Sequence, residues 1–156
     1  QPKFVELLDQ NYKIGVKSFT QIASHLMPVM EANGGGSIIA MLSQFIYNVP
    51  PAGSDAYTAS KLMLWSIVKS FAREGGPKNI RTNAISPGML NTPFSSDIPI
   101  RIKQIEEASN PCRRLCQPED IANLVEFLTS PKASYINGVN IPLTGGRVMI
   151  WNEVHL

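Results

Sequence analysis

Apolar residues in the first 33 positions recur with helical spacing: Ile14, Phe19, Ile22, Ala23, Leu26, Met27 and Met30. Positions three and four apart share a helix face, so this pattern predicts one long helix, with Pro28 bending it or marking its last turns. Gly34, Gly35 and Gly36 punctuate the chain, and Ser37 to Leu42 then reads as a short buried strand. "QFIYNVPPAGSD" is a loop broken by Pro50, Pro51 and Gly53, with Ser54 or Asp55 placed to cap the next helix. That second helix is predicted over about 57–74, with Leu64, Trp65, Val68, Phe71 and Ala72 on one stripe. "GGPKN" stops it, and "IRTNAISPG" is a second short strand that opens into a loop. Residues 93–110 are polar and mixed, which predicts a mobile lid with helical turns. "QPEDIANLVEFLTS" carries strong helix signals: Pro118 near the start, acids in the first turn, then Ile121, Leu124, Val125 and Leu128. "SYINGVNIPLTGG" supplies a third strand.

The order is helix, strand, helix, strand, helix, strand. Such alternation predicts an α/β fold, layered around a mostly parallel sheet, in a single domain over 1–156. Three strands are few for a sheet of this kind. One edge should stand unpaired, as if the other half of the fold were missing. The chain begins with Gln1, so the expectation is a processed product or part of a longer polypeptide.

Composition narrows the classes. The 156 residues are 44% hydrophobic and 17% charged, which describes a globular chain. Net charge is +2 with no block of like charges, giving no reason to expect nucleic acid or an anionic membrane as partner. No apolar run approaches the ~20 residues of a membrane span, and no secretory signal is expected. Cys112 and Cys116 sit in "PCRRLCQPED". A metal site needs about four ligands, and the histidines are His25 and His155 alone. Two free thiols in a reducing, cytoplasmic location are the expectation.

Candidate chemistry begins in "SDAYTASKLMLW", where Tyr57 and Lys61 stand four apart at the start of a predicted helix. Residues at that spacing point into the same space. A free tyrosine titrates near ~10, too high for easy proton transfer at neutral pH, and a nearby ammonium favours the phenolate. The spacing alone is a weak signal. Ser43 at the end of the first strand, and "SPGMLNT" at the end of the second, add to it: α/β sheets place ligands at the carboxyl ends of their strands.

These pieces together, "SIIAMLS", "YTASK", "IRTNAISPGMLNT", "PEDIANLVEFLTS" and "YINGVNIPLTGG", resemble the C-terminal part of a short-chain dehydrogenase/reductase, in the ketoacyl-reductase and carbonyl-reductase group. The resemblance covers nearly the whole chain in the family's order, and it implies a Rossmann-like doubly wound parallel sheet of which this chain is the C-terminal half. It implies a homo-oligomeric (dimer or tetramer) oxidoreductase that uses NAD(H) or NADP(H), preference open, on a small carbonyl or secondary-alcohol substrate. It implies Tyr57 as general acid–base, Lys61 as the residue that lowers the tyrosine pKa and binds the nicotinamide ribose, and Ser43 as the holder of the substrate oxygen. Pro87, Gly88, Leu90 and Thr92 would meet the cofactor, Leu90 through its backbone. A partner or longer chain would carry the missing half, because neither Gly34–Gly36 nor Gly145–Gly146 follows a strand and opens a helix as a phosphate loop does.

Two features depart from the family. The dinucleotide-binding half is absent, and Gly15 in "KIGVKSFTQ" stands where the family usually has an asparagine. Asn11 lies one helical turn earlier. These departures support an alternative, a non-catalytic reductase-derived subunit or interaction module. Phe45, Tyr47, Pro50 and Pro51 are expected to form a partly apolar substrate wall. The tail with Trp151 is expected to pack on its own domain, and His155 to be solvated.

Overall fold

The computed structural model describes residues 2–148, so the tail with Trp151 and His155 lies outside the described residues. Three parallel strands, β1 (Gly36–Met41), β2 (Ile80–Pro87) and β3 (Asn140–Leu143), pair in the order β1-β2-β3. Gly36 faces Ile80 and Met41 faces Ile85 across the first pair; Ala84 faces Asn140 and Pro87 faces Leu143 across the second. Strand β2 is central and buried along its length apart from half-buried Arg81, as a parallel strand covered on both faces must be. Asn83 and Ser86, buried polar side chains of β2, are paired. Asn83 donates to the Ile136 carbonyl and accepts from the Val139 N–H, and the Ser86 hydroxyl donates to Asn140.

Alternate residues of the strands feed two cores. Ala40, Leu42 and Ala84 pack with Val16 and with Leu64 and Val68 of helix α3 (Asp55–Gly75). Ile85 packs on the other face with Leu128 of helix α5 (Pro118–Thr129) and with Ala133. The predicted α3 stripe holds: Leu64, Val68, Phe71 and Ala72 are buried and Trp65 is half-buried. Ser54 takes the N-cap position without a side-chain bond. The region expected as a lid is more regular than its polar pattern indicates. It contains a 3-10 turn at Pro93–Ser95 and a ten-residue helix α4 (Ile100–Ser109).

The long first helix is interrupted by a change of pitch. Helix α1 (Pro2–Asn11) runs into a π-helical segment, Tyr12–Lys17, and on into helix α2 (Ser18–Ala32) through Pro28. The Ser18 N–H donates to Lys13 O, five residues back. The wider turn shifts the register, so the predicted apolar stripe is divided. Val16, Ala23 and Met27 are buried, whereas Ile14 is 68% and Ile22 59% exposed. The chain then turns at Gly35, whose φ is +124° and where a Cβ would stand 2.3 Å from the Asn79 carbonyl oxygen. Only glycine serves there.

Strand β1 is the sheet edge and has no neighbour on its outer side among the described residues. Beside it Ile22 and Leu26 of α2 and Ile38 and Ile39 of β1 line an open apolar groove of about 280 Å³. The unpaired edge predicted from the strand count is present. No described helix is long and apolar enough to cross a membrane. Both cysteines are free, Cys112 exposed and Cys116 buried.

Candidate active site

Because β1 and β2 are parallel, the segments that leave their carboxyl ends emerge on the same side of the sheet. Ser43, two residues beyond β1, is extended and caps the turn Gln44–Tyr47, its Oγ accepting from the Phe45 N–H at 3.3 Å. Pro87 closes β2, and the Gly88 N–H donates to Leu143 O at 3.0 Å. Leu90 bridges to Cys116, and the Thr92 N–H donates to Ser95 Oγ at 3.2 Å. These bonds give the loop after β2 a defined path over the strand ends.

Helix α3 brings in the other two groups. Tyr57 lies in its first turn, on the same cavity wall as the Ser43 side chain. Its ring meets Phe45 edge to face, with centroids 6.5 Å apart and planes at 82°. Lys61, one turn on, sends its Nζ beneath the ring, 5.4 Å from the Tyr57 centroid, and donates to the Met41 carbonyl oxygen at 2.7 Å. Burial raises the Tyr57 pKa above its ordinary value, and the neighbouring Ser43 hydroxyl offsets part of that. Burial lowers the Lys61 pKa. In this arrangement burial sets the direction for Tyr57.

Ser43, Tyr57, Gly88, Leu90 and Thr92 line one cavity of about 350 Å³, walled also by Phe45, Met89 and Ile98. Lys61 and Pro87 do not line it. Of the other residues expected in the wall, Pro51 borders a smaller adjoining groove, and Tyr47 is turned away to Ser86 and Asn140, where burial raises its pKa. The turn that Ser43 caps directs Phe45 and Tyr47 to different sides. Asn11 does not line the cavity, and its amide donates to Leu7 O within its own helix.

Sequence reasoning missed Gln44, Glu106 and Arg147. The Gln44 amide donates to Glu106 Oε1 at 3.0 Å, and Arg147 Nε donates to Glu106 Oε2 at 3.1 Å. Positions 62 and 41 apart in the chain leave no local signal for such contacts.

The residues fit the nicotinamide end of a dinucleotide: a hydroxyl pair, a lysine and a glycine-bearing loop at the carboxyl ends of two strands. They do not supply its pyrophosphate end. Gly34–Gly36 lie at the amino end of β1, opposite Ser43. Beside β3, Gly145 and Gly146 are packed by Asn110 and Pro111, which an added Cβ would meet at 2.5 and 3.0 Å. Among the described residues, no group of three or more His, Cys, Asp or Glu could hold a metal ion.

A family profile described as enoyl-(acyl carrier protein) reductase matches residues 5–147. The chain is 39% identical over 144 residues to the Mus musculus dehydrogenase/reductase SDR family member 4, covering 90% of this chain and 51% of that protein. It is 38% identical over 142 residues to the 7alpha-hydroxysteroid dehydrogenase of Escherichia coli (strain K12), covering 90% and 55%. The solved structure of a 7alpha-hydroxysteroid dehydrogenase complexed with NADH and 7-oxo glycochenodeoxycholic acid superposes with a TM-score of 0.82 at 37% identity, over 90% of this chain and 55% of that one. A short-chain type dehydrogenase/reductase from Mycobacterium ulcerans gives 0.84 at 26% identity, over 90% and 51%. The chain thus spans about half the length of the curated relatives it matches.

Proposed function

The chain belongs to the short-chain dehydrogenase/reductase family, and from that premise we propose that it is the catalytic half of an NAD(H)- or NADP(H)-dependent oxidoreductase interconverting a carbonyl and a secondary alcohol. The observation that carries this reading is that Tyr57 and Ser43 line the same cavity at the strand ends. A carbonyl oxygen seated there is held by Ser43 and takes its proton from Tyr57; in the reverse direction Tyr57 removes the alcohol proton. The dinucleotide, when bound, supplies or accepts the hydride. Lys61 and Tyr57 are placed for its ribose, and Gly88, Leu90 and Thr92, with Pro87 setting the path of their loop, for its nicotinamide. Phe45, Met89, Leu90 and Ile98 favour an apolar body on the substrate.

Association into a dimer or tetramer through the long helices is part of the same reading. Ile14 of the π-helical segment and Leu62 and Met63 of α3 are exposed apolar residues on those helices. A second reading, an interaction module without turnover, is favoured by the unpaired β1 edge and the apolar groove beside it.

The deciding experiment is oxidation of NADH and NADPH with a ketone panel, using the full-length polypeptide that contains this chain. Replacing Tyr57 by Phe should lower kcat by at least about 10³-fold while leaving cofactor affinity unchanged. Equal turnover by the wild type and Tyr57→Phe would refute the assignment of Tyr57.

A further inference from the structure

Three polar side chains from separate parts of the chain meet beside the cavity; Gln44 lines it, and all three border an adjoining groove. Gln44, next to Ser43, is only 8% exposed, and the Glu106 side chain only 17%. The Glu106 carboxylate has no hydrogen to give, so the Gln44 amide must turn its nitrogen toward it. The Gln44 Oε1 is thereby turned to Gly88, where an added Cβ would stand 3.4 Å away, and it finds no hydrogen-bond partner among the described residues. The second Glu106 oxygen takes the Arg147 Nε. One carboxylate of α4 thus joins the strand end that carries Ser43 to the chain beyond β3.

The same end of α4 is held twice more. Asn110 Nδ2 donates to Thr144 O at 3.0 Å, and the Cys112 N–H donates to Gly145 O at 3.2 Å. The opposite end of α4 presents Ile100 and Ile102 to solvent, 70% and 44% exposed. Helix α4 is therefore pinned at its C-terminal end, and of these ties Glu106 is the one that reaches the catalytic strand.

We propose that Glu106 is a positioning residue: by holding Gln44 and Arg147 at once it fixes Gln44, which lines the cavity beside Ser43, and so the shape of the wall that meets the substrate. This rests on the proposed function, in which Ser43 and Tyr57 hold the substrate oxygen. Glu106 touches neither serine nor tyrosine, so its loss acts on substrate affinity and not on proton transfer.

The test uses Glu106→Ala, Glu106→Gln and the more exposed Arg147→Met in the full-length polypeptide, read by amide hydrogen exchange over residues 100–109 and by steady-state kinetics. Glu106→Ala should speed exchange in α4 and raise KM for the carbonyl substrate about tenfold, the equivalent of one lost buried hydrogen bond. It should leave kcat within about twofold and cofactor affinity unchanged. Arg147→Met should show the same pattern more weakly, and Glu106→Ala should have no larger effect when Arg147→Met is already present. Glu106→Gln keeps the side-chain length and guards against a folding defect: it should raise KM less than Glu106→Ala. Unchanged exchange and KM in Glu106→Ala and Arg147→Met would overturn the proposal. So would a fall in kcat with KM constant. If the wild type reduces no carbonyl, the functional reading fails, while unchanged exchange in Glu106→Ala would still overturn the clamp by itself.

Discussion

Lys61 donates its Nζ hydrogen bond to the Met41 carbonyl oxygen at 2.7 Å, tying α3 to the last residue of β1. That bond places the ammonium below the Tyr57 ring and aligns the first turns of the helix with Ser43. Replacing Lys61 by Met should therefore affect both stability and turnover. Loss of a charged hydrogen bond at a half-buried site costs about 1–2 kcal/mol. Turnover should fall at least about 10²-fold, since the helix turn that carries Tyr57 loses its tether and the proton-transfer site its cation. Urea denaturation and ketone-dependent NADH oxidation measure the two effects. Lys61→Arg should retain more of the stability than of the activity, because the guanidinium can reach a carbonyl but does not present a point charge in the same place.

With Tyr57 as the general acid–base proposed above, it governs the pH dependence of turnover. Its folded pKa is raised above 10.0, chiefly by burial. Reduction needs the neutral hydroxyl, so its rate should be flat through neutral pH and decline only in the alkaline range above the ordinary tyrosine value. Oxidation needs the phenolate, so its rate should climb with pH over the same interval. Profiles of kcat/KM in both directions test this. A reduction profile falling with a midpoint below about pH 8 would mean that a positive charge outweighs burial at Tyr57.

Gly15 sits in the π-helical segment, and a Cβ built on it meets nothing within 4 Å. Alanine there should fit without displacement and narrow the conformational freedom of the unfolded chain. Gly15→Ala should therefore stabilise the protein by about 0.5–1 kcal/mol. Thermal unfolding read by circular dichroism would show it as a raised Tm. A lowered Tm would mean that the π-helical pitch depends on the glycine.

Asp120 accepts hydrogen bonds from two guanidinium nitrogens of Arg114, at 2.6 and 2.8 Å, and from the Gln117 N–H at 2.8 Å, capping α5. Those partners hold its carboxyl at about 2, below the ordinary 3.8. A depressed folded pKa gives stability that is fully present above the unfolded value and lost as pH falls from about 4 to about 2. Asp120→Asn should lower Tm by a few degrees at pH 7. The gap between mutant and wild type should close by about pH 2. A constant gap across that range would show that the cap, and not the charge, is what the mutation removes.

Much of this architecture is written in local patterns. The 3.6-residue spacing of Leu64, Val68 and Phe71 specifies the α3 face that packs on the sheet, and acids after Pro118 specify the start of α5. Runs such as "SIIAM" and "IRTNAIS" are short and apolar enough to be buried strands, and alternation with helices makes a parallel sheet the economical arrangement. The spacing of Tyr57 and Lys61 on one helix, and of Ser43 at a strand end, comes from the same periodicities. Both are properties of a few neighbouring residues, and neighbouring residues are what periodicity encodes.

Contacts between distant positions needed the folded chain. The division of the first helix into two pitches, with Ile14 outside and Val16 inside, depends on how the π-helical segment packs on α3. The turning of Tyr47 toward Ser86 and Asn140, while Phe45 stays against Tyr57, depends on the path of one capped turn. The Gln44–Glu106–Arg147 contact joins a strand end, a helix and a turn after the last strand, and it exists only once all three are in place. The sequence by itself determined the elements, their order and the residues with chemistry to offer, because propensity and periodicity are short-ranged. Tertiary structure decided which of those residues share a cavity and which hold its walls, because hydrogen bonds and burial depend on distance in space.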